Sequence, residues 1–136
     1  MTKPLDVPAG YDATTAFDAG LAVRSETLGN EHVQRSLNAA QAQGNGALQQ
    51  VVTEFAWGTV WTRPGLERKQ RSLATVSMLI ALNRPHELAV HLRGALANGL
   101  TPDELKELVL HSAVYCGFPA SLDASRILTE VLAANT

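Results

Sequence analysis

A chain of 136 residues, 46% apolar and 18% charged, is long enough for one hydrophobic core and sits in the ordinary globular range. Its formal net charge of −2, with basic residues scattered rather than clustered, argues against nucleic acid or an anionic membrane surface as a partner. No apolar run approaches the roughly 18 residues of a spanning helix, the N-terminus lacks the apolar stretch of a secretory signal, and the lone Cys116 excludes an intrachain disulfide and any C-x-x-C arrangement; a cytoplasmic protein is expected.

Residues 1–15, MTKPLDVPAGYDATT, carry two prolines, a glycine and few apolar positions, which predicts an extended arm. Residues 16–136 are expected to form a single helical domain. AFDAGLAVRSETLG spaces Phe17, Leu21 and Leu28 for a helix that stops at Gly29, after which Asn30 is placed to cap EHVQRSL. QAQGNG reads as a turn. ALQQVVTEFAWGTVW then sets Leu48, Val51, Val52, Phe55 and Val60 on one stripe, the expected buried face of a helix that ends before Pro64.

GLERKQRSLATVSMLIALN predicts a helix of about five turns, with Leu73, Val76, Leu79 and Ile80 on one side. Its later part is apolar nearly all round, which suggests the central buried helix. Pro85 opens the next helix, HELAVHLRGALANG, and Gly99 closes it. TPDELKEL combines an N-cap Thr101, Pro102 at the first helical position and Glu104 as the capping-box acid, so a helix runs from there to Tyr115. Pro119 opens a last helix with Leu122, Ile127, Leu128 and Val131 as its buried side. No segment alternates with period two and no fixed repeat appears, so the class is all-α, a compact bundle of about six to seven helices.

HELAVH resembles a zinc-protease helix, but its histidines, His86 and His91, are five apart. They stand about 140° apart around a helix and cannot share a metal in the zincin manner. Glu87 and His91 are four apart and share a face. A carboxylate there would orient the imidazole and raise its pKa, as a general acid near neutral pH requires; the same spacing equally suits a solvated helix face. Trp57 and Trp61, also four apart, fit either core packing or a ligand wall. Arg63, Arg71, Arg84 and Arg93 are candidates for gripping a carboxylate, or plain surface charges. His111 reads by default as a structural histidine and Cys116 as a buried thiol.

The ordered set WGTVWTRPGL at 57–66, RSL at 71–73, MLIALN at 78–83, ELAVHLR at 87–93, Asn98–Gly99 and HSAVYCGFPA at 111–120, with RSETLGNEHV at 24–33, resembles the carboxymuconolactone decarboxylase family. The resemblance spans residues 16–133, and only LDAS at 122–125 is more polar than the pattern. It implies the alkylhydroperoxidase-D-like helical fold and a homo-oligomer, a hexamer or a trimer. In the peroxidases of that fold the helix matching HELAVH carries C-x-x-C-x-x-x-H; here the cysteine positions hold Arg84 and Glu87 while His91 remains, and Ser72 takes the place of a relay glutamate. The resemblance thus points away from thiol chemistry.

What it implies instead is decarboxylation of 4-carboxymuconolactone to 3-oxoadipate enol-lactone, a step of the β-ketoadipate route of protocatechuate catabolism, with no cofactor and no metal. His91, oriented by Glu87, is expected to supply the proton or hold the oxyanion, with His111 as a second donor. Arg63 and Arg84 are expected to bind the carboxymethyl group of this small lactone dicarboxylate, and Trp57 and Trp61 to form dry walls. A thiol peroxidase of the same fold and a non-catalytic helical oligomer are the alternatives.

Overall fold

A computed structural model describes residues 3–135. Among them are seven α-helices, one π-helix and no strand, in agreement with the all-α expectation. The chain packs as two compact units, one ending at Leu66 and the other starting at Glu67.

In the first unit, Thr14 accepts a hydrogen bond from the Phe17 amide at 3.1 Å and starts α1, Thr15–Leu28. Gly29 at φ 87° turns the chain directly into α2, Asn30–Ala42. Asn30 is therefore the first residue of α2 and not its cap, and its side-chain amide donates to the Lys3 carbonyl. Phe17 and Leu21 of α1 pack on Val33 and Leu37 of α2, the helical spacing read from the sequence. Residues 3–14 contain no helix and lie against this pair. Tyr11 donates to the Leu37 carbonyl at 2.8 Å, and the Gln34 side chain both donates to and accepts from the Asp6 backbone.

After a turn at Gln43–Asn45, α3 spans Gly46–Val51 and passes without a break into a π-helix, Val52–Val60. The expected apolar stripe is overturned: Leu48, Val51 and Phe55 are 64, 59 and 64% exposed. The inward face is Gly46, Thr53 and Trp57. The reason is the closeness of α1. A Cβ added to Gly20 would lie 2.0 Å from the Thr53 carbonyl oxygen, and one on Gly58 would lie 2.1 Å from that of Ala16. Two backbones in contact leave no room for bulky side chains on that line, so the large apolar groups are turned outward.

The second unit comprises α4 (Arg68–Ala81), α5 (Pro85–Ala97), α6 (Pro102–Cys116) and α7 (Phe118–Ala134). Capping boxes open α4, with Glu67 and Gln70, and α6, with Thr101 and Glu104. Val76 and Ile80 of α4, Leu88 and Leu92 of α5, Leu105 and Val109 of α6, and Ile127 and Val131 of α7 form one core. Two expectations fail here. Helix α4 buries only Ser72, Val76 and Ile80, leaving Met78 and Leu82 exposed, so it is a surface helix with apolar residues on both sides. Leu122 is also exposed, because α7 turns Ser121 and Ala124 inward, where the Ser121 hydroxyl reaches the Val109 carbonyl at 2.9 Å.

The link from α4 to α5 sets the start of the candidate helix. Asn83 adopts φ 56°, a left-handed conformation that asparagine tolerates better than most residues. The Arg84 amide then returns to the Leu79 carbonyl at 3.0 Å, a Schellman-type closure that leads into Pro85. Asn83→Val is expected to lower the unfolding free energy by about 1–2 kcal/mol in urea titration, while Asn83→Gly stays near the parent. Equal midpoints for the two variants would contradict this assignment.

Candidate functional site

On α5, Glu87 lies exposed in the first turn, where a carboxylate suits the positive end of the helix dipole. His91 follows one turn later, half-buried between Leu88 and Leu92, both of which face the core. Burial pushes the His91 pKa below its ordinary value, and the Glu87 carboxylate only partly opposes this. The expectation from spacing was a raised pKa, and it is wrong because the neighbouring helices desolvate the ring more than an exposed carboxylate can compensate. At neutral pH His91 is therefore a neutral imidazole, with one N–H to donate. An incoming anion would raise its proton affinity.

Arg84 precedes this helix with an exposed side chain. His111 is exposed on α6, with its ring centroid 5.1 Å from that of Tyr115. It stands between two open grooves of about 410 Å³ each. One is lined by Lys69, Gln70, Leu73, Leu100, Glu104, Glu107 and Leu108, the other by Glu107, Leu110, Ala113, Val114 and Phe118. Neither groove includes Glu87 or His91.

Sequence reasoning passed over Lys69, Gln70 and Glu107. The spacing Glu107, His111, Tyr115 was a readable signal, being one helix face at successive turns, but the approach of α4 to α6 was not. The first groove suits an anion poorly. Its Lys69 is already paired with Glu104 at 3.1 Å, and the Glu104 pKa is held below the ordinary carboxylate value by the Thr101 backbone amide and by Lys69. Glu107 adds a further negative charge. A lactone dicarboxylate would meet a net acidic surface there.

In the first unit, Trp57 is buried and Trp61 half-buried, with ring centroids 4.7 Å apart and planes inclined by 33°. Both lie at the C-terminal end of the π-helix, where the Trp61 amide donates to the Ala56 carbonyl five residues back at 2.9 Å. Arg63 follows with an exposed side chain. The structure thus joins Trp57 with Trp61 and Glu87 with His91, and places His111 on separate grooves. Ser72 is fully buried, and its hydroxyl accepts from the Asn98 amide at 2.9 Å. Cys116 is half-buried at the end of α6. Among the described residues no group of three or more His, Cys, Asp or Glu side chains converges as a metal set, and no helix is long and apolar enough to cross a membrane.

The sequence profile of the carboxymuconolactone decarboxylase family matches residues 46–130, which include every candidate discussed above. The chain belongs to the carboxymuconolactone decarboxylase family. Among its relatives, a 4-carboxymuconolactone decarboxylase of Acinetobacter baylyi is 50% identical over 115 residues, covering 85% of each chain. A nitrosuccinic acid decarboxylase of Metarhizium robertsii is also 50% identical over 117 residues, covering 85% of this chain and 80% of the relative. The carboxymuconolactone decarboxylase family match thus spans the π-helix and most of α7.

An NMR titration of the imidazole rings should find His91 protonating below the value of about 6.5 for an unperturbed histidine. Glu87→Gln should lower that midpoint further, because the opposing carboxylate is removed. By linkage, the unfolded chain accepts a proton that folded His91 resists, so His91 makes stability fall as pH drops through about 6.5. A His91 midpoint at or above the ordinary value would refute this balance.

Proposed function

We propose that this protein decarboxylates 4-carboxymuconolactone to 3-oxoadipate enol-lactone, without a metal or organic cofactor. The observation that carries the reading is the 50% identity to the Acinetobacter baylyi 4-carboxymuconolactone decarboxylase over 85% of both chains. In the reaction the bond from the ring γ-carbon to its carboxylate breaks and carbon dioxide leaves. The electron pair passes through the ring double bond onto the lactone carbonyl oxygen, and a proton added at the α-carbon gives the enol-lactone. The substrate supplies its own electron sink, so the protein has to orient the lactone, stabilise the oxyanion and deliver the proton.

In this reading His91, oriented by Glu87, performs the last two tasks. A neutral, desolvated imidazole is a good donor to a developing oxyanion, and the negative charge of the bound substrate raises its pKa toward the working pH. His111 is the second candidate donor, and Arg84 is assigned to the carboxymethyl group that stays on the product, with Arg63 as the alternative. An arginine against the departing carboxylate would instead stabilise the ground state. The Trp57–Trp61 pair provides an apolar wall, with Trp61 the more exposed ring.

A second substrate has support from the nitrosuccinic acid decarboxylase of Metarhizium robertsii. Loss of the carboxylate on the nitro-bearing carbon of nitrosuccinate would place the electrons on the nitro group as a nitronate. It too leaves a carboxymethyl arm in place. Both substrates require an oxyanion stabiliser, a carbon protonation and a grip on one retained carboxylate.

We also assign this protein to the cytoplasm and to a homo-oligomer, a hexamer or a trimer. Leu110, Val114 and Phe118 are 65, 76 and 70% exposed and line one open groove, an apolar surface larger than single scattered residues account for.

His91→Asn is expected to reduce kcat/KM for the lactone by about 10²–10⁴-fold, the usual contribution of a placed acid, and Glu87→Gln by a smaller factor. Turnover in D₂O is expected to leave one deuterium at the product α-carbon. If His91→Asn remains within a few-fold of the parent, or the product carries no deuterium, the assigned step is wrong; a higher kcat/KM for nitrosuccinate would transfer the assignment to that substrate.

A further inference from the structure

Among the described residues, Arg24 on α1 is the one arginine with almost no solvent contact, 4% exposed. Among the described residues no carboxylate pairs with it. One guanidinium nitrogen, Nη1, donates to the Thr53 hydroxyl at 3.0 Å, and its buried Nε has no hydrogen-bond partner. Burial pushes its pKa down, with Tyr11 opposing. A buried cation held by one neutral hydroxyl is a poor source of stability, since an apolar side chain of similar volume avoids the desolvation cost. Its use must lie in what it holds in place.

What it holds is the start of the π-helix. Thr53 is fully buried and is the second residue of that helix. Its hydroxyl donates to the Gln49 carbonyl at 2.7 Å, back in α3, while accepting from Arg24. The hydroxyl therefore ties three segments together at the junction where hydrogen bonding changes from four-residue to five-residue spacing. A π-helix is normally a single-turn irregularity, frequent at functional sites; this one runs for nine residues. Its own hydrogen bonds do not favour it over an α-helix, so the α1 contacts must. These are the Gly20 and Gly58 backbone contacts and the Arg24–Thr53 bond.

We infer that Arg24 is a positioning residue: through Thr53 it fixes the point at which α3 becomes the π-helix, and so the placement of Trp57 and Trp61. An α-helix advances about 100° per residue. If the segment returned to α-helical spacing, each residue gained would rotate everything beyond it by about that angle relative to α1, and Trp57 and Trp61 would turn together out of their present surroundings. The kinetic consequence rests on the proposed lactone reaction, in which Trp61 forms a wall; the structural consequence does not.

The experiment compares Arg24→Met, Thr53→Val and Thr53→Ser in the full chain by near-UV circular dichroism of the tryptophan pair, far-UV circular dichroism, and kcat and KM for the lactone. Arg24→Met and Thr53→Val are expected to alter the tryptophan signal in the same way with helix content retained, while Thr53→Ser, which keeps the hydroxyl, matches the parent. In the first two kcat is expected to fall at least tenfold, with KM changing less. Unchanged tryptophan spectra in both, a Thr53→Ser spectrum altered like that of Thr53→Val, or loss of helix in Arg24→Met would each overturn the inference. If the parent fails to turn over the lactone, the proposed function fails, while the spectra still decide the role of Arg24.

Discussion

Two helix backbones in contact, α1 and the π-helix at Gly20 and Gly58, constrain most of what is unusual in the first unit. Atoms that close exclude side chains from the line of contact, so only glycine, Thr53 and the flanking residues fit there. Leu48, Val51 and Phe55, apolar and bulky, are turned to the outside. The same approach brings Arg24 within reach of Thr53 and gives the π-helix partners that it would lack alone. Trp57 and Trp61 owe the face they occupy, relative to α1, to that helix. A substitution that pushed these backbones apart would change the surface, the junction and the tryptophan pair together.

In the second unit the deciding balance is between burial and charge at His91. Glu87 is in the right position to favour an imidazolium, yet it is exposed and screened, whereas the ring is enclosed by helices packed on the Leu88 and Leu92 core. The result is a neutral donor whose proton affinity depends on what binds beside it. A site of this kind suits a reaction that creates negative charge in place, because the donor interacts more strongly with the transition state than with the resting state. The open grooves at His111 differ in character, being lined mostly by apolar surface with Glu107 in both and Glu104 in one.

Local signals were legible in the sequence and non-local ones were not. Thr101, Pro102 and Glu104 specify a helix start within four residues, and the structure has the capping box they imply. The all-α class followed from periodicity, and the ordered motifs from WGTVW to HSAVYCGFPA placed the chain in its family. The apolar stripe at Leu48, Val51 and Phe55 and the apolar circumference of α4 were read as buried because periodicity reports which residues share a face, not what covers it. The direction of the His91 shift depends on desolvation by residues distant in sequence. Lys69 and Glu107 share a groove only because α4 and α6 pack side by side.

The proposed decarboxylation draws its electron sink from the substrate alone. It is tested most directly by incubating chelator-treated wild-type protein with 4-carboxymuconolactone while measuring carbon dioxide and enol-lactone together. The expected result is one carbon dioxide and one enol-lactone for each lactone consumed, at a rate that added metal does not change. Lactone left intact, or turnover that appears only when metal is restored, would contradict it.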